Sequence, residues 1–196
     1  MAEQEITADL DAMLDMPAPG RSRTGRAVAL ARLLHQECVQ LLQLYRERES
    51  FLADLTPEGG RIVSPAPDAL DGEGPGEGPG VGELHGALRQ CLGLLHCLIQ
   101  REEEEVGELE GEYEAMRKSV RRRLEHLLLS TCGLLSGAAE VGPDHSCTEE
   151  VDGEVGSFAL KMWTYRVLLE LLHWSDHAKM TLHNINAQSQ DAEEDA

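Results

Sequence analysis

Two histidines, His173 and His177, stand four residues apart, a spacing that sets both imidazoles on one helical face within reach of a single metal ion. A catalytic site needs a third ligand and a neighbouring base, and no H-E-x-x-H motif is present, so the pair reads as solvated helix-face histidines and no metal is expected. His96 and Cys97 are adjacent and on a helix point in different directions, which makes a poor ligand pair. The remaining reactive side chains are thiols: Cys38, Cys91, Cys97, Cys132 and Cys147. An odd number at these spacings resembles no disulfide framework, and free thiols are the simpler expectation. Cys38, Cys91 and Cys132 fall among apolar residues, where a thiol acts as a small hydrophobe. Cys147 lies in an acidic stretch and is the thiol expected to be most accessible, although the carboxylates around it favour its protonated form. No Ser–His–Asp set and no paired carboxylates can be singled out. The doubled GEGP unit at Gly72–Pro79 is not a phosphate loop, because no strand precedes it and no G-K-[ST] follows. The chain is expected to be neither an enzyme nor the carrier of a cofactor.

The charged residues exclude another class. With 36 acidic against 17 basic side chains the formal charge is −19, which opposes approach to nucleic acid. Most of the acids, and of the bases only Arg61, lie in four segments: 1–20, 53–83, 140–154 and 186–196. The rest of the chain is close to neutral. Within it the basic block Arg117, Lys118, Arg121, Arg122 and Arg123 follows the glutamate run Glu102–Glu105 and Glu114, and reads as the solvated side of a helix paired with glutamates one turn away.

Helices must position these residues. Apolar residues recur at spacings of three and four in four stretches: Ala27, Ala31, Leu34, Cys38, Leu41 and Tyr45; Leu84, Leu88, Cys91, Leu95 and Leu98; Leu109, Tyr113, Met116, Val120, Leu124, Leu127, Thr131, Leu134 and Ala138; and Leu160, Trp163, Val167, Leu171, Trp174, Ala178, Leu182 and Ile185. They predict helices over about 23–51, 84–106, 108–138 and 158–185. Nothing alternates as a half-buried strand does, and no apolar run reaches the ~20 residues of a membrane span. The first and third connections are long, the first rich in glycine and proline, and the second is nearly direct. Long, short, long is the pattern of an all-α, up-up-down-down long-chain four-helix bundle with two long crossover loops. The bundle is expected over 21–185, monomeric, between flexible acidic tails at 1–20 and 186–196. The first twenty residues carry no basic and apolar leader of a secretory signal, so synthesis in the cytoplasm is expected.

The last helix holds Phe158, Trp163, Tyr165 and Trp174, in a chain whose aromatic content is 4%. At about 100° per residue, Trp163 and Trp174 lie within about 50° of the core stripe and read as core anchors, whereas Phe158 lies roughly 170° away. Lys161 adjoins it one turn on, and Tyr165, Leu169 and Leu172 prolong that outer strip. Either a crossover loop folds over Phe158, or the ring is a protein-docking anchor with an adjacent lysine that fixes orientation.

The segment Gly156–Trp174, GSFALKMWTYRVLLELLHW, resembles the fourth helix of ciliary neurotrophic factor. The shared pattern is G-x-F-x-x-K-x-W, then a basic residue with V-L, then E-L and a second W. It is carried here by Gly156, Phe158, Lys161, Trp163, Arg166, Val167, Leu168, Glu170, Leu171 and Trp174. Gln40–Tyr45, QLLQLY, is similar to the corresponding stretch of cardiotrophin. The resemblance implies a member of this branch of the interleukin-6-type helical cytokines: a protein without a signal peptide that acts extracellularly after unconventional release. It assigns Phe158 and Lys161 to the binding site for a leukaemia inhibitory factor receptor-type chain. It implies a second site, for a glycoprotein 130-type chain, on the first and third helices, where Arg117 and Arg121 are the candidates. An alpha receptor is a further candidate partner, but where ciliary neurotrophic factor carries an Arg and an Asp after the second Trp this chain has His177 and Thr181. The rival reading is an intracellular helical adaptor that docks a partner helix through the outer face of its last helix.

Overall fold

The computed structural model describes residues 22–56, 59–64, 80–107, 110–135, 139–144, 147 and 157–194. Four α-helices account for most of them: α1 Arg23–Arg48, α2 Val81–Val106, α3 Glu112–Cys132 and α4 Ser157–Glu194, with a short 3-10 turn at Ser50–Asp54. Among the described residues there is no strand, and no helix is long and apolar enough to cross a membrane. The expected tail at 1–20, and Leu109, Ala138 and Gly156, lie outside the described residues.

The helix ends follow from local chemistry. Ser22 opens α1 by accepting the Gly25 N–H on its hydroxyl at 3.0 Å, and Arg46 and Arg48 sit in the last turn, where the helix dipole favours cations. The helix stops at Arg48 and not at 51, because Glu49 leaves helical geometry (φ −111°, ψ 71°) and the chain tightens into the 3-10 turn. Between α2 and α3, Gly107 (φ 81°) and Gly111 (φ 115°) take backbone conformations that a side chain disfavours, so α3 begins at Glu112 and not at 108. It ends at Cys132 with Gly133 as its cap, short of the expected 138. Conversely α4 runs to Glu194, beyond 185, so 186–194 is helix where a flexible tail was expected. Those residues contain no glycine or proline and include alanine, glutamine and glutamate, which favour helix; 187–192 are exposed, and the segment carries no apolar stripe to announce it.

Each of α1 and α2 packs against both α3 and α4. The predicted stripes form the core: Leu34, Leu41 and Tyr45 of α1, Leu84, Leu88 and Leu95 of α2, Val120, Leu124 and Leu127 of α3, and Val167, Leu171 and Leu182 of α4 are all buried. Each such leucine contributes about 1.5–3 kcal/mol by leaving water. Polar pairs between helices record their alignment. Ser22 hydrogen-bonds Asn186 at 3.2 Å, while Tyr45 reaches Lys161; Arg123 pairs with Glu37 at 3.1 Å; His85 hydrogen-bonds Thr131 at 2.7 Å.

Pieces of both long connections lie on the bundle. Val63 is buried, and the Ile62 N–H donates to Glu170 Oε1 at 3.2 Å. Residues 139–144 run beside α2, where Arg89 donates to the Gly142 carbonyl (2.9 Å) and to Glu140 (2.6 Å), and the Asp144 N–H donates to the Arg89 carbonyl (3.1 Å). A disulfide between Cys97 and Cys147 closes this strap, with a Cα–Cα distance of 5.4 Å. The expectation of five free thiols, with Cys147 the most accessible, is therefore corrected: Cys38, Cys91 and Cys132 are free, and Cys147 is consumed by a residue 50 positions away in sequence. Burial pushes the Cys38 thiol up to about 12, consistent with a thiol used as a hydrophobe.

Candidate docking site

At one end of the bundle the close of α1, the 3-10 turn and the start of α4 converge. Glu49 caps α1 through its N–H, which donates to the Tyr45 carbonyl at 2.9 Å, and this bend carries Phe51 across to α4. There the Phe51 ring meets Phe158, with ring centroids 5.8 Å apart and planes tilted by 30°. Both rings remain open to solvent, Phe51 at 39% and Phe158 at 61%, and Leu55, which closes the 3-10 turn, is 38% exposed. Of the two readings left open by the sequence, a covering loop is thus only half realised: the turn after α1 touches Phe158 and leaves most of it uncovered.

Lys161 completes the group. Its ammonium lies 2.8 Å from Glu49 Oε2 and 5.7 Å from the centroid of Phe51, over the face of that ring. Its carbonyl accepts the Tyr45 hydroxyl at 3.0 Å. The lysine is thereby held to α1 at both ends. Phe51 and Glu49 were not singled out in the sequence, although their place immediately after the α1 stripe, at the end where an antiparallel partner helix begins, was the available signal.

Beside this patch a cleft of about 610 Å³ is lined by Asp54, Leu55, Met162, Trp163 and Arg166. Trp163 is half-buried, packing on the core with one edge and facing the cleft with the other, while Trp174 is buried as a core anchor. The outer strip expected beyond Phe158 is interrupted. Tyr165 is buried, because Arg46 of α1 donates to its hydroxyl at 2.9 Å and lies over its ring. Leu169 and Leu172 are half-buried and line a separate, larger cleft of about 840 Å³ with His35, Val39, Arg61 and His173.

Arg117 does not belong to any outer face. It is wholly buried, its guanidinium pairing with Glu102 and Glu114, and the Tyr113 hydroxyl donates to Glu102 at 3.0 Å. The assignment of Arg117 to an exposed second docking site is corrected on that ground: it sits on the core stripe of α3, one turn after Tyr113 and one before Val120. Burial raises the Glu102 carboxyl above its ordinary range, against the pull of Arg117. Arg121 is half-buried, on the next turn.

His173 and His177 stack on one another with centroids 6.4 Å apart, and each meets the Trp174 ring edge-on at 5.3 Å. Among the described residues no group of three or more His, Cys, Asp or Glu side chains is arranged to hold a metal ion. No known protein family, curated protein or solved structure matches the chain.

Proposed function

We propose that this protein is an extracellularly acting helical cytokine of the interleukin-6 type, which docks a leukaemia inhibitory factor receptor-type chain through Phe158 and Lys161. The observation that carries the reading is an aromatic residue 61% exposed at the start of a core helix, with a lysine fixed one turn away. The F-x-x-K-x-W pattern at Phe158–Trp163 agrees with it. Phe51 belongs to the same surface and enlarges the apolar contact to two rings.

The architecture that goes with this function is the up-up-down-down bundle with two crossover connections. It is supported by the sense of the pairs between helices: Ser22 with Asn186 but Tyr45 with Lys161, Glu37 with Arg123, and His85 with Thr131. Together with Tyr45 beside Tyr113 and Arg117 beside Glu102, these pairs fit α1 running antiparallel to α3 and α4, and α2 antiparallel to α3. In this reading the protein, as a monomer, brings the first receptor chain together with a glycoprotein 130-type chain held on α1 and α3, and the kinases bound to the receptors' cytoplasmic tails become active. Arg121 remains the residue proposed for that second contact.

The test is receptor activation by purified protein carrying Phe158→Ala and Lys161→Ala, with helicity followed by circular dichroism. Loss of activation at unchanged helicity supports the assignment, and full activation rejects it.

A further inference from the structure

Docking through Phe158 and Lys161 does not by itself say what chemistry the partner presents to the lysine. In the free chain that cation is already compensated. Its ammonium lies 2.8 Å from Glu49, whose side chain is only 9% exposed against 34% for Lys161. The second cation near the carboxylate is Arg48, with Nε 3.6 Å from Oε1 and its guanidinium 5.0 Å from the centroid of the Tyr113 ring. On the outer side Lys161 lies over the exposed ring of Phe51, which meets the exposed Phe158. A partner carboxylate brought against Lys161 would share one ammonium with Glu49. Arg48 is the second cation on Glu49 but also faces the buried Glu102, so a further acid desolvated at this ammonium is incompletely compensated, and that is costly.

We infer that Glu49 is the positioning residue of this surface, and that the partner it fits is uncharged where it meets Lys161: an apolar pocket for two rings, edged by carbonyl or hydroxyl oxygens that accept a remaining ammonium N–H. The inference rests on the docking reading above and adds to it the chemistry of the partner. Glu49 acts through Lys161. It holds the ammonium over Phe51, so that little side-chain entropy remains to be lost on binding, and it neutralises the charge that the apolar pocket buries.

The experiment is binding of the full chain to a leukaemia inhibitory factor receptor-type ectodomain at salt concentrations from about 50 to about 500 mM, where screening of a direct charge pair becomes visible. The variants are Lys161→Met, Glu49→Gln, Glu49→Asp and the double Glu49→Gln/Lys161→Met, each checked for unchanged helicity. Expected is an affinity loss of about tenfold for Lys161→Met with the same salt slope as wild type, since no charge pair across the interface has been removed. Glu49→Gln alone also loses about tenfold, because it leaves the ammonium uncompensated, Glu49→Asp recovers part of that, and the double variant binds no worse than Lys161→Met. A salt slope that flattens in Lys161→Met, or a Glu49→Gln variant that binds at least as tightly as wild type, overturns the inference while leaving the docking reading intact. A double variant weaker than either single one assigns Glu49 to the fold of the turn and overturns its positioning role. Wild type that fails to bind the ectodomain overturns the docking reading and this inference with it.

Discussion

The ring of Phe51 lies 5.8 Å from that of Phe158, joining the turn after the first helix to the start of the last one while both rings stay open to solvent. An aromatic pair of this kind is worth about 0.5–1.5 kcal/mol beyond its buried area, a small stake in folding. On the proposed function its larger consequence is for recognition. Phe51→Ala is expected to lower receptor activation by about tenfold or more, on the scale of Phe158→Ala, while unfolding free energy falls by about 1–2 kcal/mol. Dose–response curves set beside chemical denaturation of the same variants check both halves.

Arg117 predicts the opposite pattern. Arg117 has no exposed surface, and Arg117→Met leaves Glu102 without its close cation in the core and Glu114 with Lys118 alone, at 3.2 Å. Removing one partner of a buried pair costs about 3–5 kcal/mol. Any loss of activity in this variant should therefore track its loss of stability, measured by urea unfolding, and should shrink when Glu102→Gln is added.

The strap along α2 makes a prediction about thiols. Denatured without reductant, the chain should titrate three free cysteines, Cys38, Cys91 and Cys132, because Cys97 and Cys147 are joined. Cys147→Ser should destabilise by about 2–4 kcal/mol through the loop of 50 residues that it opens, and amide exchange at Asp144 should rise as its hydrogen bond to Arg89 loosens.

Stability should fall on mild acidification. Burial, and then Lys179, lowers the His35 pKa below its ordinary 6.5; burial, and then Arg61, does the same for His173. A histidine whose folded pKa lies below its unfolded value binds more protons when unfolded. Its contribution is thus fully present above about 6.5 and declines as pH falls from there to the lowered folded value. Glu102 works against this slope: its folded pKa is raised, so the penalty of keeping it charged in the core is relieved as pH falls through that value toward its ordinary 4.5. Denaturation midpoints between about pH 7.5 and 5.5 should decline in wild type and flatten in His35→Gln/His173→Gln.

The helices were legible because their apolar faces repeat every three or four residues, and so was Phe158, because helical geometry alone turns it away from that face. What escaped has a common cause. Arg117 stands in a run of basic residues and looks solvated, although its spacing from Tyr113 and Val120 puts it on the core stripe; only the arrival of Glu102 from α2 explains how a guanidinium can be buried there. Phe51 and Glu49 lie past the end of a helix, where periodicity says nothing, and acquire meaning from a segment more than a hundred positions later. Tyr165 falls on the outer side by angle and is buried because Arg46 and α1 cover it. The Cys97–Cys147 pairing depends on where a connection rich in glycine and acid is laid down. Local pattern finds elements and their faces; it does not find groups whose environment is supplied by a distant segment.

On the proposed function, the exposed end of the bundle at Phe51, Phe158 and Lys161 docks a cell-surface receptor and thereby signals. The most direct measurement is receptor phosphorylation in cells carrying leukaemia inhibitory factor receptor-type and glycoprotein 130-type chains, exposed from outside to purified wild type and to Phe158→Ala/Lys161→Ala with unchanged helicity. Strong phosphorylation with wild type and its loss in the double variant is the predicted result. Silence of the wild-type protein, or full phosphorylation by the double variant, contradicts it.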